Sequence, residues 1–491
     1  MPDPGQLVDI TSQEVNKPAP MLSYLQYGWS LIRREGLGFA VKRFCQLVSW
    51  KVKVFLRYIH IGRSIPPKDR ILEIGDLTPT DMHAAPVGSP AGPGDIDIAD
   101  LAQTPAFRDR LIQLARTIHE QHLPEREALI QEGRQLFSGQ KVLFVSPIRV
   151  LGGGANLIFL AAQAMRRMGV DAQILNLNVH RNWFEGHYQQ PDVPVIFSDI
   201  DTIPRISGGF EAVIATSNPT VAWLAPLVGR LPAPTIGYYI QDYEPYFYEP
   251  GSHEYQKAAD SYSLIPNALR MVTTPWISEQ IQRHHHIDSV IVGAHMDTDL
   301  FQPQLNLEPA WPARPLRITA MIRPTTPRRN PQRTMAVLQR LSQSHAPQLE
   351  FRLFGCDLSD PGFSSLEQDF PWKLAGQLRS SQVACLFNGA DIFVDFSDFQ
   401  AFGLTALEAM AMGLAVIVPS KGGTSIYAEH DQNCLLVDTQ DIQACLEALQ
   451  RLVEDVTLRA RLQLNAVSTA ARFYPELPAL NMLKVLFPSR L

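Results

Sequence analysis

A strand, a polar loop, a helix and a second strand follow one another in residues 391–437, and this unit constrains the fold most. The run 392–396 is β-branched and aromatic, which predicts a buried parallel strand. A helix rich in Ala, Leu and Met begins near residue 401 and ends at Gly413. A second strand over 415–418 leads to the pair Gly422 and Gly423. The unit predicts a parallel sheet covered by helices.

The loop before this helix is a predicted ligand site. In open α/β sheets, ligands bind beyond the carboxyl ends of the strands, where the free N–H groups of a helix N-terminus suit phosphate. Glu408 follows Gln400 by eight residues, about two helical turns. The first helical turn and the residues before it are Phe402, Gly403, Leu404 and Thr405.

Residues 400–413 read QAFGLTALEAMAMG and resemble the donor-site signature of retaining glycosyltransferases of family 4, also called group 1. The usual form of that signature is EGFGLxxxEAMAxG. The resemblance implies that Glu408 binds the nucleotide ribose and that Gln400, a Glu in the usual form, contacts the transferred sugar. An amide supplies no negative charge, so Gln400 marks either selection of a particular sugar or weakened chemistry. A strand–helix–strand unit without this function is the alternative.

The composition describes a globular protein with room for two core-bearing domains, since the chain has 491 residues and is 45% hydrophobic. A net charge of −6 gives no basic field, so no nucleic-acid partner is expected. The five cysteines are scattered and show no C-x-x-C spacing, which predicts reduced, buried thiols. No signal-peptide core and no apolar run of about 18 residues occurs, so we expect a cytoplasmic enzyme.

Strand-like and helix-like segments alternate in the second and third of four predicted regions. Residues 1–140 are predicted to be a helical N-terminal extension with a Pro/Ala/Gly-rich linker over 75–94. Residues 141–300 and 301–470 are predicted Rossmann-like domains, on the acceptor side and the nucleotide-sugar donor side respectively. By analogy, residues 471–491 cross back onto the first domain. The resemblance therefore implies an α/β protein of the GT-B class, with two doubly wound domains facing a cleft. The predicted strands cover 141–147, Asp171–Leu177, 211–217, 235–241, 271–274 and 289–293, then 316–322, 349–355, 392–396 and 415–418.

A basic amphipathic segment lies at residues 21–63. Residues 36–68 include seven Lys and Arg residues and no acidic residue, and the aromatic residues Trp50 and Tyr58 lie in the same stretch. Such a segment can lie on an anionic membrane surface, which would place the protein on the inner face of the plasma membrane. A helical arm packed on the enzyme or on a partner is an equal alternative.

A glycine-rich loop and an arginine-rich loop follow the first predicted strand of each domain. Gly152, Gly153 and Gly154 allow close backbone approach and resemble the first loop of GT-B enzymes, which borders donor phosphate and acceptor. Arg323 and Arg328 match the Arg and Lys that grip the diphosphate in family 4, and Arg keeps the charge with a planar fork. A plain strand–helix turn and a solvated basic turn are the respective alternatives.

The run YIQDYEPY at residues 239–246 places carboxylates and aromatic rings at the expected cleft edge. Asp242 and Tyr243 are predicted to position the acceptor, with a packed structural loop as the alternative. This run resembles a bacterial subgroup that includes dTDP-rhamnosyltransferases of surface-polysaccharide assembly.

The three histidines at 284–286 cannot all point to one side of a helix, and no acidic or Cys cluster accompanies them. They predict an exposed helix end. Because GT-B enzymes generally work without a bound metal, neither a metal nor a cofactor is expected. His295 and Asp297 match the family's interdomain connection and are predicted hinge residues.

The resemblance implies a retaining hexosyltransferase of bacterial polysaccharide synthesis. Its expected substrates are a nucleotide-diphospho-sugar donor, with rhamnose as the sugar suggested by the subgroup, and a glycan or lipid-linked acceptor. Arg323, Arg328 and Gln400 are the predicted catalytic residues. A catalytically silent GT-B protein that binds nucleotide sugar or acts as a scaffold is the alternative from another class, and a sugar-nucleotide epimerase is a further one.

Overall fold

The structure, a computed structural model, describes residues 70–74, 98–188, 192–230, 233–305, 311–345 and 348–491. The basic segment 21–63 and the predicted linker lie outside these ranges, so the membrane contact stays a prediction.

Two parallel sheets and the helices around them make up the described chain. The helices are α1 Ile98–Leu101, α2 Pro105–Phe137, α3 Gly153–Arg167, α4 Arg181–His187, α5 Ile203–Ser207, α6 Asn218–Leu224, α7 His253–Leu264, α8 Pro275–His285, α9 Pro331–His345, α10 Ser380–Asn388, α11 Leu404–Ala411, α12 Ile442–Glu454, α13 Val456–Ala470 and α14 Glu476–Leu486. The strands are β1 Lys141–Val145, β2 Asp171–Leu177, β3 Val195–Ser198, β4 Ala212–Ala215, β5 Thr235–Ile240, β6 Leu269–Val272, β7 Val290–Ile291, β8 Leu316–Met321, β9 Leu349–Phe354, β10 Trp372–Leu374, β11 Ile392–Val394, β12 Ala415–Pro419 and β13 Leu435–Val437.

The order of strands in each sheet reverses once. The first sheet has seven parallel strands in the order β3-β2-β1-β4-β5-β6-β7, and the second has six in the order β10-β9-β8-β11-β12-β13. The reversals fall between β1 and β4 and between β8 and β11, and at such a switch point a crevice opens beyond the carboxyl ends of the strands. The predicted fold class, two doubly wound α/β domains with a helical region before them, is confirmed.

The central strands are aliphatic in sequence, which fits their burial on both faces. Every residue of β4 and of β12 is buried, as expected for parallel strands covered on both faces. The sequence pattern does not predict three strands, β3, β10 and β13, and each of them lies at a sheet edge. An edge strand pairs on one side only and can be short, so it leaves a weak sequence signal. The strand predicted over 271–274 instead ends at Val272, because Thr274 caps α8 by accepting a hydrogen bond from the Ile277 N–H at 3.4 Å.

The long helix α2 contacts elements of both sheets. Near its start, Phe107 and Leu111 pack with Ala460 and Val467 of α13. Near its end, Phe137 joins the core formed by β1, α3 and α14. The C-terminal helix α14 thus packs on the first sheet although the chain reaches it from the second.

Buried ion pairs join α2, α3, α14 and the segment between the sheets. Arg126 of α2 donates to Glu476 Oε1 at 3.0 Å and to Asp299 Oδ1 at 2.7 Å. Arg167 of α3 also donates to Glu476, which is fully buried. Removing one partner of a buried pair leaves an uncompensated charge.

We therefore expect Arg126→Ala to lower the free energy of unfolding by about 3 kcal/mol. Denaturant-induced unfolding followed by fluorescence would measure it. The matched control is Arg134→Ala, an exposed arginine on the same helix, with an expected change within about 0.5 kcal/mol. Equal losses in the two variants would contradict a role for the buried pairs.

Candidate active site

A cavity of about 470 Å³ lies where loops of the two sheets meet. The first sheet contributes the loop after β1, the start of α3 and the end of α4. The second sheet contributes the loops after β8, β9 and β10 and part of α11. Its lining includes Leu151, Gly152, Gly153, Asn156, His187, Tyr188, Met321, Arg323, Phe354, Gly355, Arg379, Ser380, Thr405 and Glu408.

The sequence-predicted site residues divide into two groups. Those that line the cavity are Gly152, Gly153, Arg323, Thr405 and Glu408. Those that do not line it are Gly154, Asp242, Tyr243, Arg328, Gln400, Phe402, Gly403 and Leu404.

The glycine loop lets α3 begin against the second sheet's α11. A Cβ on Gly153 would lie 2.8 Å from Leu404 Cδ2, closer than real Cβ contacts allow. Gly152 precedes α3 and lines the cavity beside it. The carbonyl of Gly154 accepts a hydrogen bond from Gln241 Nε2 at 3.2 Å, so this third glycine belongs to the loop packing.

The start of α11 is fixed by a glycine with a positive φ. Gly403 has φ 83°, and a Cβ there would lie 2.5 Å from Tyr427 Oη. Tyr427 Oη donates to the Gly403 carbonyl at 3.0 Å. Phe402 is buried in the core beside Tyr427, which explains why Thr405 rather than Phe402 reaches the cavity.

A cation and a carboxyl face the same cavity. Burial lowers the pKa of the Arg323 guanidinium, which stays charged at neutral pH. Burial, and secondarily the charge of Asp297, raises the pKa of Glu408 to about 8. Near neutral pH the Glu408 carboxyl therefore holds its proton much of the time and can both donate and accept hydrogen bonds. Arg323 suits an anion, and Glu408 suits hydroxyl groups.

Arg328 is engaged with the first sheet's loops. Its Nη2 donates to Asp242 Oδ2 at 2.6 Å, and the guanidinium lies over the rings of Phe247 and Phe399 at 5.2 and 5.3 Å. Its Nε and Nη1 are buried without a hydrogen-bond partner. Arg328, which was predicted to bind the diphosphate, therefore forms an ion pair with Asp242, which was predicted to bind the acceptor.

Tyr243 is a packed residue. It is 1% exposed, its ring stacks on Tyr262 at 5.8 Å, and its hydroxyl lies 2.9 Å from His285 Nε2. These contacts fit the packed structural loop that the sequence left open.

Gln400 is buried and does not line the cavity. It is 3% exposed, and its Nε2 donates to Asp395 Oδ2 at 2.5 Å and to Ser397 Oγ at 3.1 Å. No motif singles out Asp395, because its pairing with Gln400 depends on how the loop folds.

Sequence reasoning missed several residues of the cavity. Asn156 Nδ2 donates to Ser380 Oγ at 2.7 Å across the two sheets, and Arg379 lies beside Ser380 in the lining. Arg379 and Ser380 follow β10, an edge strand that the sequence pattern did not reveal. Tyr188, at the end of α4, also lines the cavity. Asn156 had one signal, since it directly follows the glycine loop.

The three histidines end α8, and His286 adopts φ 54°. His284 and His286 are exposed, as predicted, while His285 packs against Tyr243. Within the described ranges, no group of three or more His, Cys, Asp and Glu side chains is arranged to hold a metal ion. That no metal takes part in the reaction stays a prediction. Among the same residues, no helix is long and apolar enough to span a membrane.

Two opposed doubly wound sheets that share one cavity define the GT-B class, and solved GT-B structures superpose on the chain. Sucrose-phosphate synthase from Thermosynechococcus elongatus gives a TM-score of 0.57 at 18% identity, covering 71% of this chain and 100% of that one. Anabaena Alr3699/HepE, solved in complex with UDP-glucose, gives 0.58 at 16% identity, covering 72% and 100%. These likenesses show the fold.

Residues 321–455 match the family described as "Glycosyl transferases group 1". Over these residues, which carry the second sheet, the chain is similar to the group 1 glycosyltransferases.

Sequence relatives match parts of their own length. The O-antigen biosynthesis protein RfbC of Myxococcus xanthus is 27% identical over 241 residues, 48% of this chain and 18% of that protein. A D-inositol 3-phosphate glycosyltransferase of Corynebacterium glutamicum is 36% identical over 93 residues, 19% of this chain and 22% of that protein. The chain thus spans about a fifth of the length of these curated relatives.

The raised pKa of Glu408 predicts a pH-dependent stability. Between about pH 4.5 and 8 the folded protein keeps this proton while the unfolded chain loses it, so stability falls as pH rises through that window. Because Gln cannot ionise, we expect the melting temperature of Glu408→Gln to fall less over that range, by roughly 2–4 °C. Differential scanning fluorimetry would measure this. Glu447→Gln, at an exposed position, is the control and should follow the unmodified protein. Parallel curves for all three proteins would contradict the assignment.

The contact between Arg328 and Asp242 predicts energetic coupling between the two sheets. We expect Arg328→Ala and Asp242→Ala each to lower stability, and the double variant to lose less than the sum. The coupling expected for contacting residues is roughly 0.5–3 kcal/mol. A double-mutant cycle by chemical denaturation would measure it, and strict additivity would contradict the ion pair.

Proposed function

We propose that this protein is a glycosyltransferase that moves a sugar from a nucleotide-diphospho-sugar to a glycan or lipid-linked acceptor. The observation that carries the proposal is the meeting of Arg323, Glu408 and the glycine-bordered start of α3 in one cavity between the sheets. Its volume, about 470 Å³, is within the range of small-molecule sites, which combine apolar walls with a few placed polar groups.

The cavity provides for both ends of a nucleotide sugar. In the transfer, the bond between the anomeric carbon and the diphosphate oxygen breaks, an acceptor hydroxyl oxygen bonds to that carbon, and the hydroxyl proton passes to the leaving diphosphate. Arg323 and the backbone N–H groups near Thr405 would stabilise the charge of the leaving diphosphate as preorganised electrostatics. Glu408 would bind ribose hydroxyls. Gly152 and Gly153 would allow the donor to approach the first sheet's backbone.

The reaction class and pathway follow from the resemblance and the relatives. The family 4 signature supports a retaining hexosyltransferase. The name of Myxococcus RfbC supports a place in bacterial surface-polysaccharide synthesis, and the Anabaena structure with UDP-glucose supports a nucleotide-sugar donor. Rhamnose is supported by the resemblance of residues 239–246.

Donor binding tests the proposal directly. We expect one of dTDP-rhamnose, UDP-glucose, UDP-GlcNAc and GDP-mannose to raise the melting temperature in a concentration-dependent way. Radiolabelled transfer from that donor should fall by about 100-fold in Arg323→Ala, the loss typical of removing one charge-stabilising group. Arg340→Ala, at an exposed site in the same sheet's helix α9, is the control.

Two outcomes would count against this function. A donor that binds without being transferred to any acceptor would favour the catalytically silent binding protein. Absence of binding by all donors and their free diphosphates, in a well-folded sample, would favour a scaffold.

A further inference from the structure

A second cavity, of about 430 Å³, lies where the start of α2 meets α13 and the second sheet. Its charged lining includes Arg108 and Asp109 of α2, Arg314 before β8, Asp391 before β11 and Arg459 of α13. We propose that this cavity binds the phosphate monoester of a small organic molecule, with Arg108 and Arg459 as its ligands. The inference goes beyond the proposed function and does not depend on sugar transfer.

The second cavity is separate from the cavity of the candidate active site. Among the residues that the structure describes, none lines both. Thr405 and Glu408 of α11 line the active-site cavity. Just beyond the end of the same helix, the Met412 carbonyl accepts a hydrogen bond at 3.4 Å from Nη1 of Arg108, which lines the second cavity. The two cavities therefore adjoin different parts of α11.

Arg459 is a buried cation with neutral hydrogen-bond partners. It is 4% exposed, and its Nη1 donates to the carbonyls of Leu452 and Val453 at 2.6 and 3.1 Å. Its guanidinium lies 4.6 Å from the ring centre of Trp311, which also lines the cavity. Within the described chain its Nε and Nη2 donate no hydrogen bond. Because a guanidinium has more N–H donors than these bonds use, Arg459 keeps donors for a ligand.

Arg108 also contacts neutral groups. Besides its bond to Met412, its Nε donates to the Gln304 carbonyl at 3.2 Å and its Nη2 to Asn388 Oδ1. Burial lowers the pKa of Arg108 to about 10, although the charge of Asp391 opposes this shift. A guanidinium whose charged form is disfavoured by burial gains from an anionic ligand.

The carboxylate nearest in effect to both cations is already engaged. Asp391 acts on Arg108 and Arg459 by its charge, but neither forms an ion pair with it within 4.0 Å. Its oxygens instead accept from Arg314 Nη1 at 2.6 Å and Nη2 at 3.0 Å, and from the Arg317 N–H at 2.8 Å. One carboxylate thus serves three guanidiniums of the cavity. Since buried charges are costly without a partner, the excess positive charge favours a bound anion.

The lining suits a phosphate on a small organic body. Guanidinium groups match phosphate oxygens with paired hydrogen bonds, and two of them balance the charge of a monoester dianion. Phe107 and Trp311 supply apolar surface for the body of the ligand. The volume of about 430 Å³ is within the range of small-molecule sites. Asp109 is partly exposed, also lines the cavity and opposes an anion.

Phenyl phosphate binding to the full chain, measured by isothermal titration calorimetry, tests the site. Arg108→Gln and Arg459→Gln each remove charge-assisted hydrogen bonds and should raise the Kd about 10-fold or more. Arg110→Gln, at an exposed position of α2, is the matched control and should change the Kd by less than about 2-fold. Arg323→Ala should also stay within about 2-fold, because Arg323 lines the other cavity.

Asp109→Asn tests the same site by a gain of affinity, which a folding defect cannot imitate. Removing the carboxylate that opposes the anion should lower the Kd for phenyl phosphate by about 3-fold. Glu120→Gln, an exposed carboxylate further along α2, is the control and should leave the Kd unchanged. An unchanged Kd in Asp109→Asn would contradict the placement of the anion.

Two further ligands test the chemical class. Phenol, which has the same ring without the charge, should not bind, and benzoate should bind more weakly than phenyl phosphate. Binding of phenol or benzoate as tight as that of phenyl phosphate would overturn the proposal. So would binding that is lost in Arg323→Ala and kept in Arg108→Gln and Arg459→Gln. Absence of phenyl phosphate binding by the folded, unmodified protein would overturn it as well, whether or not the protein transfers sugar.

Discussion

A buried carboxylate ties the segment between the sheets to the helices that cover the first sheet. Glu476 accepts from Arg126 of α2 and Arg167 of α3, and Arg126 also binds Asp299 in that segment. Because an unpaired buried charge costs several kcal/mol, these helices stabilise one arrangement of the chain. In this arrangement the loops after β1 and β8 line one cavity.

Three arginines that are close in sequence, Arg323, Arg328 and Arg329, have different surroundings in the cleft. Arg323 lines the cavity, Arg328 is committed to Asp242, and Arg329 meets Asp395 at a longer distance. The consecutive residues Arg328 and Arg329 therefore have different partners, Arg328 in the loops of the first sheet and Arg329 in the second. The environment of each guanidinium, rather than its residue type, decides this division.

Much of the fold could be predicted from the sequence, and a smaller part of the site. Central strands such as β8 and β12 are long aliphatic runs, so their pattern is plain, whereas β3, β10 and β13 are short edge strands with weak signals. Because the sequence pattern does not reveal β10, it does not reveal the loop that follows this strand. Arg379 and Ser380 lie there, so they could not be predicted as site residues. Glu408 and Arg323 could be predicted because local motifs fix them within α11 and just after β8. The roles of Tyr243 and Gln400 could not be predicted, because they depend on packing against Tyr262 and on a hydrogen bond to Asp395.

The amino-acid pattern is enough to predict two doubly wound sheets, their order along the chain and the glycines that shape the loops at the switch points. These follow from local periodicity and from backbone conformations that one or two residues set. Which polar side chains line the cavity, and which form ion pairs and hydrogen bonds with each other, depends on how the loops pack together. The physical reason is that a buried charge takes the nearest partner, and contacts such as Arg328 with Asp242 join residues far apart in the chain.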